Sequence, residues 1–157
     1  MRYGSCKSHT PALLAGSVIA GAQGVALVAM KPFAGGMLEE VKQLLITFAR
    51  FEENGTLPNT IHGQDASNRD TTDAPLWFGV VCEELAERRG PLEQISPVLP
   101  AVLQSIARHY AQGTPTGIRM DPASALIWSP SHFTWMDTNY PAGSPRQGYP
   151  VEIQALW

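Results

Sequence analysis

Cysteine is scarce in this chain of 157 residues. Only Cys6 and Cys82 occur, far apart and outside any CxxC spacing, which excludes a disulfide framework and leaves no zinc-ligand pattern. An excess of positive charge is missing as well. Eleven lysines and arginines stand against fourteen aspartates and glutamates, for a formal net charge of -3, and no basic cluster is longer than Arg88-Arg89. A nucleic-acid partner, which would demand phosphate neutralisation, is therefore not expected. His9, His62, His109 and His132 show no metal-ligand spacing, so they read as polar or packing residues, and no metal or cofactor is expected. No alternation longer than a few residues signals strands, and no repeat recurs at a fixed period.

A long uninterrupted hydrophobic run is also lacking. The nearest approach is residues 11–30, uncharged and preceded by Arg2 and Lys7, but Gly16, Gly21, Gln23 and Gly24 break it, and a membrane span is not expected. Its first part, followed by Ala20-Gly21-Ala22, fits the pattern of an export signal. A glycine-loosened buried helix or a poorly ordered leader stands ahead of that reading, with a reducing cytoplasm as the expected location. The chain thus divides into an atypical apolar segment, 1–35, and one domain, 36–157. A composition of 44% hydrophobic and 16% charged residues gives that domain enough apolar material for a core.

What is present is helical periodicity. Met37, Val41, Leu44, Leu45, Phe48 and Phe51 form one stripe between Gly35-Gly36 and Asn54-Gly55, where Asn54-Gly55 supplies a left-handed stop and Pro58 blocks a restart. Residues 57–72 read as a loop whose density of hydrogen-bonding groups suggests either a solvated excursion or a polyol site. A second helix should begin at Asp73, capped by that side chain, with Pro75 in the first turn. Leu76, Trp77, Val80, Val81 and Leu85 would face the core, and Arg88-Arg89-Gly90 closes the helix with charge matched to its dipole. A third runs from about Pro97 to Gln112 through Val98, Val102, Leu103, Ile106 and Tyr110, and a last one starts near Pro150. The fold expected is all-α. If its helices pack as antiparallel hairpins, the two long loops emerge at one end and Asp73 and Asp137 approach each other.

The second long loop is the chemically rich one. Trp128, His132, Phe133, Trp135, Asp137, Tyr140, Arg146 and Glu152 crowd there without helical or strand spacing. Connectors need only small polar residues, so large aromatics beside carboxylates point to a ligand, and that pairing suits sugars. Trp128 and Trp135 are candidates for a stacking platform, whereas Trp77, at helical spacing, reads more simply as core. Arg69 and Asp70 read as a solvated or mutually paired couple. Asp137, taken on composition alone, reads as a loop aspartate bonding its own backbone.

Three blocks then carry a family likeness: LLITFARFEENGTLPN from Leu44, NRDTTDAPLWF from Asn68, and FTWMDTNYPAGSPRQGYPVEIQALW from Phe133. Over residues 36–157 the chain resembles the α-1,6-glucosidase domain of glycogen debranching enzymes, the bacterial amylo-α-1,6-glucosidase group. The resemblance implies a partial (α/α)6 toroid that hydrolyses, with inversion, the single glucose left at a branch point. On this chain it implies Asp137, in Thr134 to Asp137, as general acid and Asp73 as a ligand of the terminal glucose's hydroxyls. Trp77 would shape the pocket wall, and Arg146 and Glu152 would line the cleft. The implied partners are glycogen, limit dextrin or another α-glucan, with a second chain or copy completing the ring.

The likeness also has departures. Residues 11–30 stand where the family carries a Trp-Gly-Arg-Asp-Thr type stretch, and the expected glutamate base lies beyond Trp157. Twelve helices of ~12 residues joined by loops of ~5 need roughly 200 residues, so only part of the ring is expected here. Inversion needs a second carboxylate ~6.5–9.5 Å from the acid, and the chain alone is expected to be inactive. The contrasting reading is a non-catalytic glucan-binding or helical interaction protein descended from the enzyme, and a third is a truncated gene product with no role of its own.

Overall fold

The computed structural model describes residues 36–135 and 145–157. The expected separate segment 1–35 lies outside these residues. The first stripe forms helix α1 (Leu38–Ala49), which buries Val41, Leu44, Leu45 and Phe48. It ends sooner than expected, because Phe51 and Glu52 fold back in tight turns onto Phe48 O and Ala49 O. Asn54-Gly55 is not the helix stop. Both residues have positive φ, 49° and 79°, and Glu53 and Thr56 exchange backbone hydrogen bonds across them. Paired positive φ values suit a two-residue hairpin turn, whereas a helix C-terminus asks for only one.

Helix α2 (Asp73–Arg89) starts and stops where the sequence places it. It is the central helix: α1, the short α3 (Leu92–Ile95), α4 (Val98–Gln112) and the C-terminal α5 (Val151–Leu156) all pack against it. Its buried arc runs through Ala74, Phe78, Val81, Cys82 and Leu85, with Leu76 widening it. Val80, expected in the core, is 37% exposed, and Trp77 is only half-buried. Phase explains both, since they fall between the turns that carry Phe78, Val81 and Leu85. Val98 of α4, expected to face inward, is likewise exposed in the first turn. The turn α3 was not legible in the sequence. It follows Gly90, whose φ is 93°.

The described residues are mostly helical, compatible with the all-α expectation, and one small ladder is added to the helices. Strands β1 (Arg119–Met120) and β2 (Ile127–Trp128) pair antiparallel, Arg119 opposite Trp128 and Met120 opposite Ile127. The amide of Gln154 on α5 then bonds both backbone groups of Ile127, at 2.8 and 2.9 Å. Ile118, Ile127 and Ile153 are thereby drawn into the same continuous core as Leu45, Phe48, Leu85 and Ile106. Among the described residues no helix is long and apolar enough to cross a membrane.

Candidate functional site

The start of α2 is a buried polar knot. Thr71, Thr72 and Asp73 are each at most 2% exposed, so their polar atoms need protein partners. Thr71 supplies the cap expected of Asp73: its hydroxyl accepts from Ala74 N at 3.2 Å and donates to Asp73 Oδ1 at 2.6 Å. Asp73 is the first helical residue, one position too late for the cap role. Its other oxygen accepts from the backbone N–H of Trp135 at 3.2 Å.

Thr72 ties three elements together. Its N–H donates to Phe133 O, its carbonyl accepts from the Tyr110 hydroxyl of α4, and its hydroxyl shares a 2.8 Å hydrogen bond with Ser129 Oγ just after β2. Ser129 in turn exchanges backbone bonds with Gly148, and His132 N–H donates to Pro145 O. Both ends of the aromatic loop are thus laced to the N-terminus of α2. His132 and Arg146, in those ends, carry positive φ of 62° and 49°, a strained conformation for side-chain-bearing residues.

Electrostatics follow burial. Desolvation raises the Asp73 carboxyl above its ordinary range, while the Thr71 hydroxyl and the Trp135 amide pull it back. The Tyr110 phenol is held well above its usual value by its full burial and by the neighbouring Asp73 charge. Burial pushes the Cys82 thiol up to about 12, which removes it as a nucleophile at neutral pH. Among the described residues no group of three or more histidine, cysteine, aspartate or glutamate side chains could hold a metal ion.

The remaining sequence-derived site residues fall into distinct places. Trp135 carries its ring outward, 52% exposed, directly beyond the amide that Asp73 holds. Thr134, just before it, is buried with its hydroxyl unpartnered, and so is Trp77 Nε1. Trp128 is half-buried, edge-on to Tyr149 at 5.4 Å, with the Arg119 guanidinium 5.2 Å from its ring. Cation–π contact with Arg119 occupies part of the surface expected to stack on ligand. Arg146 and Glu152 form a part-buried ion pair, at 2.6 Å to Oε1, which leaves Arg146 Nε buried without a partner. Arg146 also lines an open depression of about 320 Å³ with Gln147, Tyr149, Pro150 and Val151. Asp137 lies outside the described residues, and with it the expected approach of Asp73 to Asp137.

Of the couple expected to be solvated or mutually paired, Asp70 is exposed to solvent and Arg69 is bonded elsewhere. Arg69 reaches back to Thr56 O, Thr56 Oγ1 and Phe51 O and lies 3.5 Å from Glu53. A planar fork of donors finds more acceptors in the turn's carbonyls than in one adjacent carboxylate. Thr71, Thr72, Ser129 and Tyr110 were not singled out in the sequence. The Thr-Thr-Asp-Ala-Pro run does carry a capping signal, and a tyrosine on a core stripe needs a buried partner for its hydroxyl.

The sequence profile of one family, Amylo-alpha-1,6-glucosidase, matches residues 21–157. The chain belongs to this family. No curated protein and no solved structure matches it significantly. The amylo-α-1,6-glucosidase match takes in the knot at Thr71 to Asp73, the Thr134-Trp135 segment and the Arg146–Glu152 pair, and it reaches N-terminally beyond residue 36. Membership makes this a domain of glycogen-debranching glycoside hydrolases, whose substrate class is glucan.

Proposed function

We propose that this amylo-α-1,6-glucosidase domain contributes the acid half of a site that releases α-1,6-linked glucose at glycogen branch points by inversion. Asp137 is the general acid, flanked in sequence by Trp135 and Met136, apolar neighbours of the kind that keep a carboxyl protonated near neutrality. The single observation that carries the reading is the Asp73–Trp135 hydrogen bond. It ties Trp135, the second residue of the Thr-Trp-Met-Asp motif, to the N-terminus of the central helix and leaves its aromatic ring exposed to solvent, the arrangement a sugar platform requires. Arg146, on the far limb of the same loop, and its partner Glu152, in the first turn of α5, present charged hydrogen-bonding groups to glucan hydroxyls. Trp77 and Trp128 complete the apolar walls.

On this reading residues 36–157 are part of an (α/α)6 toroid working in the cytoplasm, with 1–35 as a separate segment. An inverting site sets a second carboxylate ~6.5–9.5 Å from the acid, a role we assign to no carboxylate of residues 36–157. The test is calorimetric binding of maltooligosaccharide by the full chain, beside glucose release from branched limit dextrin. We expect binding, little or no glucose release, loss of affinity in Trp135→Ala and retention in Asp137→Asn. Rapid glucose release by the chain alone overturns the missing base. Absence of any α-glucan binding overturns the site.

A further inference from the structure

The family resemblance implies that Asp73 holds the hydroxyls of a terminal glucose, yet the structure gives its two oxygens other work. Oδ1 takes the Thr71 hydroxyl at 2.6 Å and Oδ2 the Trp135 amide at 3.2 Å, and the residue is 2% exposed. A carboxylate enclosed in this way meets sugar poorly but controls whatever its partners carry. Trp135 N–H is the partner that matters, because the exposed indole belongs to the same residue and Asp137 follows two positions later. The surrounding knot makes the control stiff. Thr72, the neighbour of Asp73, is held through N–H, carbonyl and hydroxyl by Phe133, Tyr110 and Ser129, so α2 and the loop cannot slide past one another without breaking buried hydrogen bonds.

We propose that Asp73 is a positioning residue: it acts on glucan through the Trp135 peptide, setting the attitude of the Trp135 ring, and does not itself touch the sugar. This deepens the glucosidase reading and rests on it for the ligand. The mechanism predicts coupling, since a residue that works through another loses its effect when that other is removed.

The experiment is a double-mutant cycle on maltooligosaccharide affinity with the full chain, using Asp73→Asn, Trp135→Ala and the pair. Alongside it, the backbone 15N–1H resonance of Trp135 is followed in tryptophan-labelled protein. Asp73→Asn is expected to weaken binding roughly threefold to tenfold, the size of ordinary coupling between contacting residues, and to cost nothing further in the Trp135→Ala background. The Trp135 amide resonance should move while those of Trp128 and Trp157 stay in place. Should Asp73→Asn destabilise the fold, Thr71→Val, which frees Oδ1 and the Ala74 N–H but keeps the Oδ2 contact to Trp135, should give a smaller displacement of the same resonance. A loss of affinity that persists at full size beside Trp135→Ala, with the Trp135 amide unmoved, overturns the proposal in favour of direct sugar contact. If the unaltered chain binds no α-glucan, the glucosidase site fails, and the amide displacement alone then decides whether Asp73 positions the loop.

Discussion

Asp73 carries a cost that depends on pH. Because burial raises its carboxyl above the ordinary range, the folded protein holds that proton more tightly than the unfolded chain does. The resulting stability is present in full below the unfolded value of ~4 and is lost as pH rises through the elevated folded one. Asp73→Asn cannot titrate. Melting temperatures measured from pH 3.5 upward should therefore fall for the unaltered chain relative to Asp73→Asn across that window, and parallel curves would contradict the assignment. Gly55 offers a second prediction at this scale. Its φ is +79° and an added Cβ would lie 2.4 Å from His109 Cβ, on a turn also tied to α4 through Glu52, which accepts from Gly55 N–H and the Ser105 hydroxyl. Gly55→Ala should cost about 2 kcal/mol in urea denaturation, from left-handed strain and overpacking together. Asn-Gly was legible as a turn, but not its dependence on His109, which lies on a different helix and only meets the turn through packing.

Elements with a continuous apolar stripe were readable from sequence, and those without one were not. α2 and α4 begin and end close to their expected positions, and α1 and α5 begin close to theirs, since capping residues and a 3.6-residue period are local signals. The strands β1 and β2 span only two residues each, too short for alternation to register. They are backed by Gln154, twenty-seven positions beyond Ile127, and by the core that Ile127 enters. The polar loop before α2 shows the same limit. Its density of hydrogen-bonding groups suggested a solvated excursion or a polyol site, whereas Arg69 in fact clamps the loop to the hairpin turn. Arg69→Ala should leave the Thr56 and Phe51 carbonyls short of a partner and cost roughly 1–3 kcal/mol. Arg69→Lys should recover little of this, because an ammonium lacks the planar fork. Amide exchange at Gly55 and Thr56, measured for both variants, checks the order.

For the whole molecule, α5 is the closing piece: Ile153 is fully buried, and the Trp157 ring stacks on Tyr110 at 5.9 Å. Ile153→Ala should lower stability by about 2–5 kcal/mol, as a buried truncation does. The unfolding curves followed by tryptophan fluorescence and by far-ultraviolet circular dichroism should still coincide, since one core serves all the described helices. The family and the helical class could be read from residue blocks, yet the site's geometry could not. What joins Asp73 to Trp135 is a side chain meeting a backbone amide sixty-two residues away, a contact that no spacing rule encodes. A short sheet ordinarily leaves an open margin on which another polypeptide can crystallise into extended pairing. Here the carboxamide of Gln154 imitates a third strand along Ile127, so this margin is already sealed, and Gln154→Ala would turn a self-contained ribbon into a template for intermolecular aggregation.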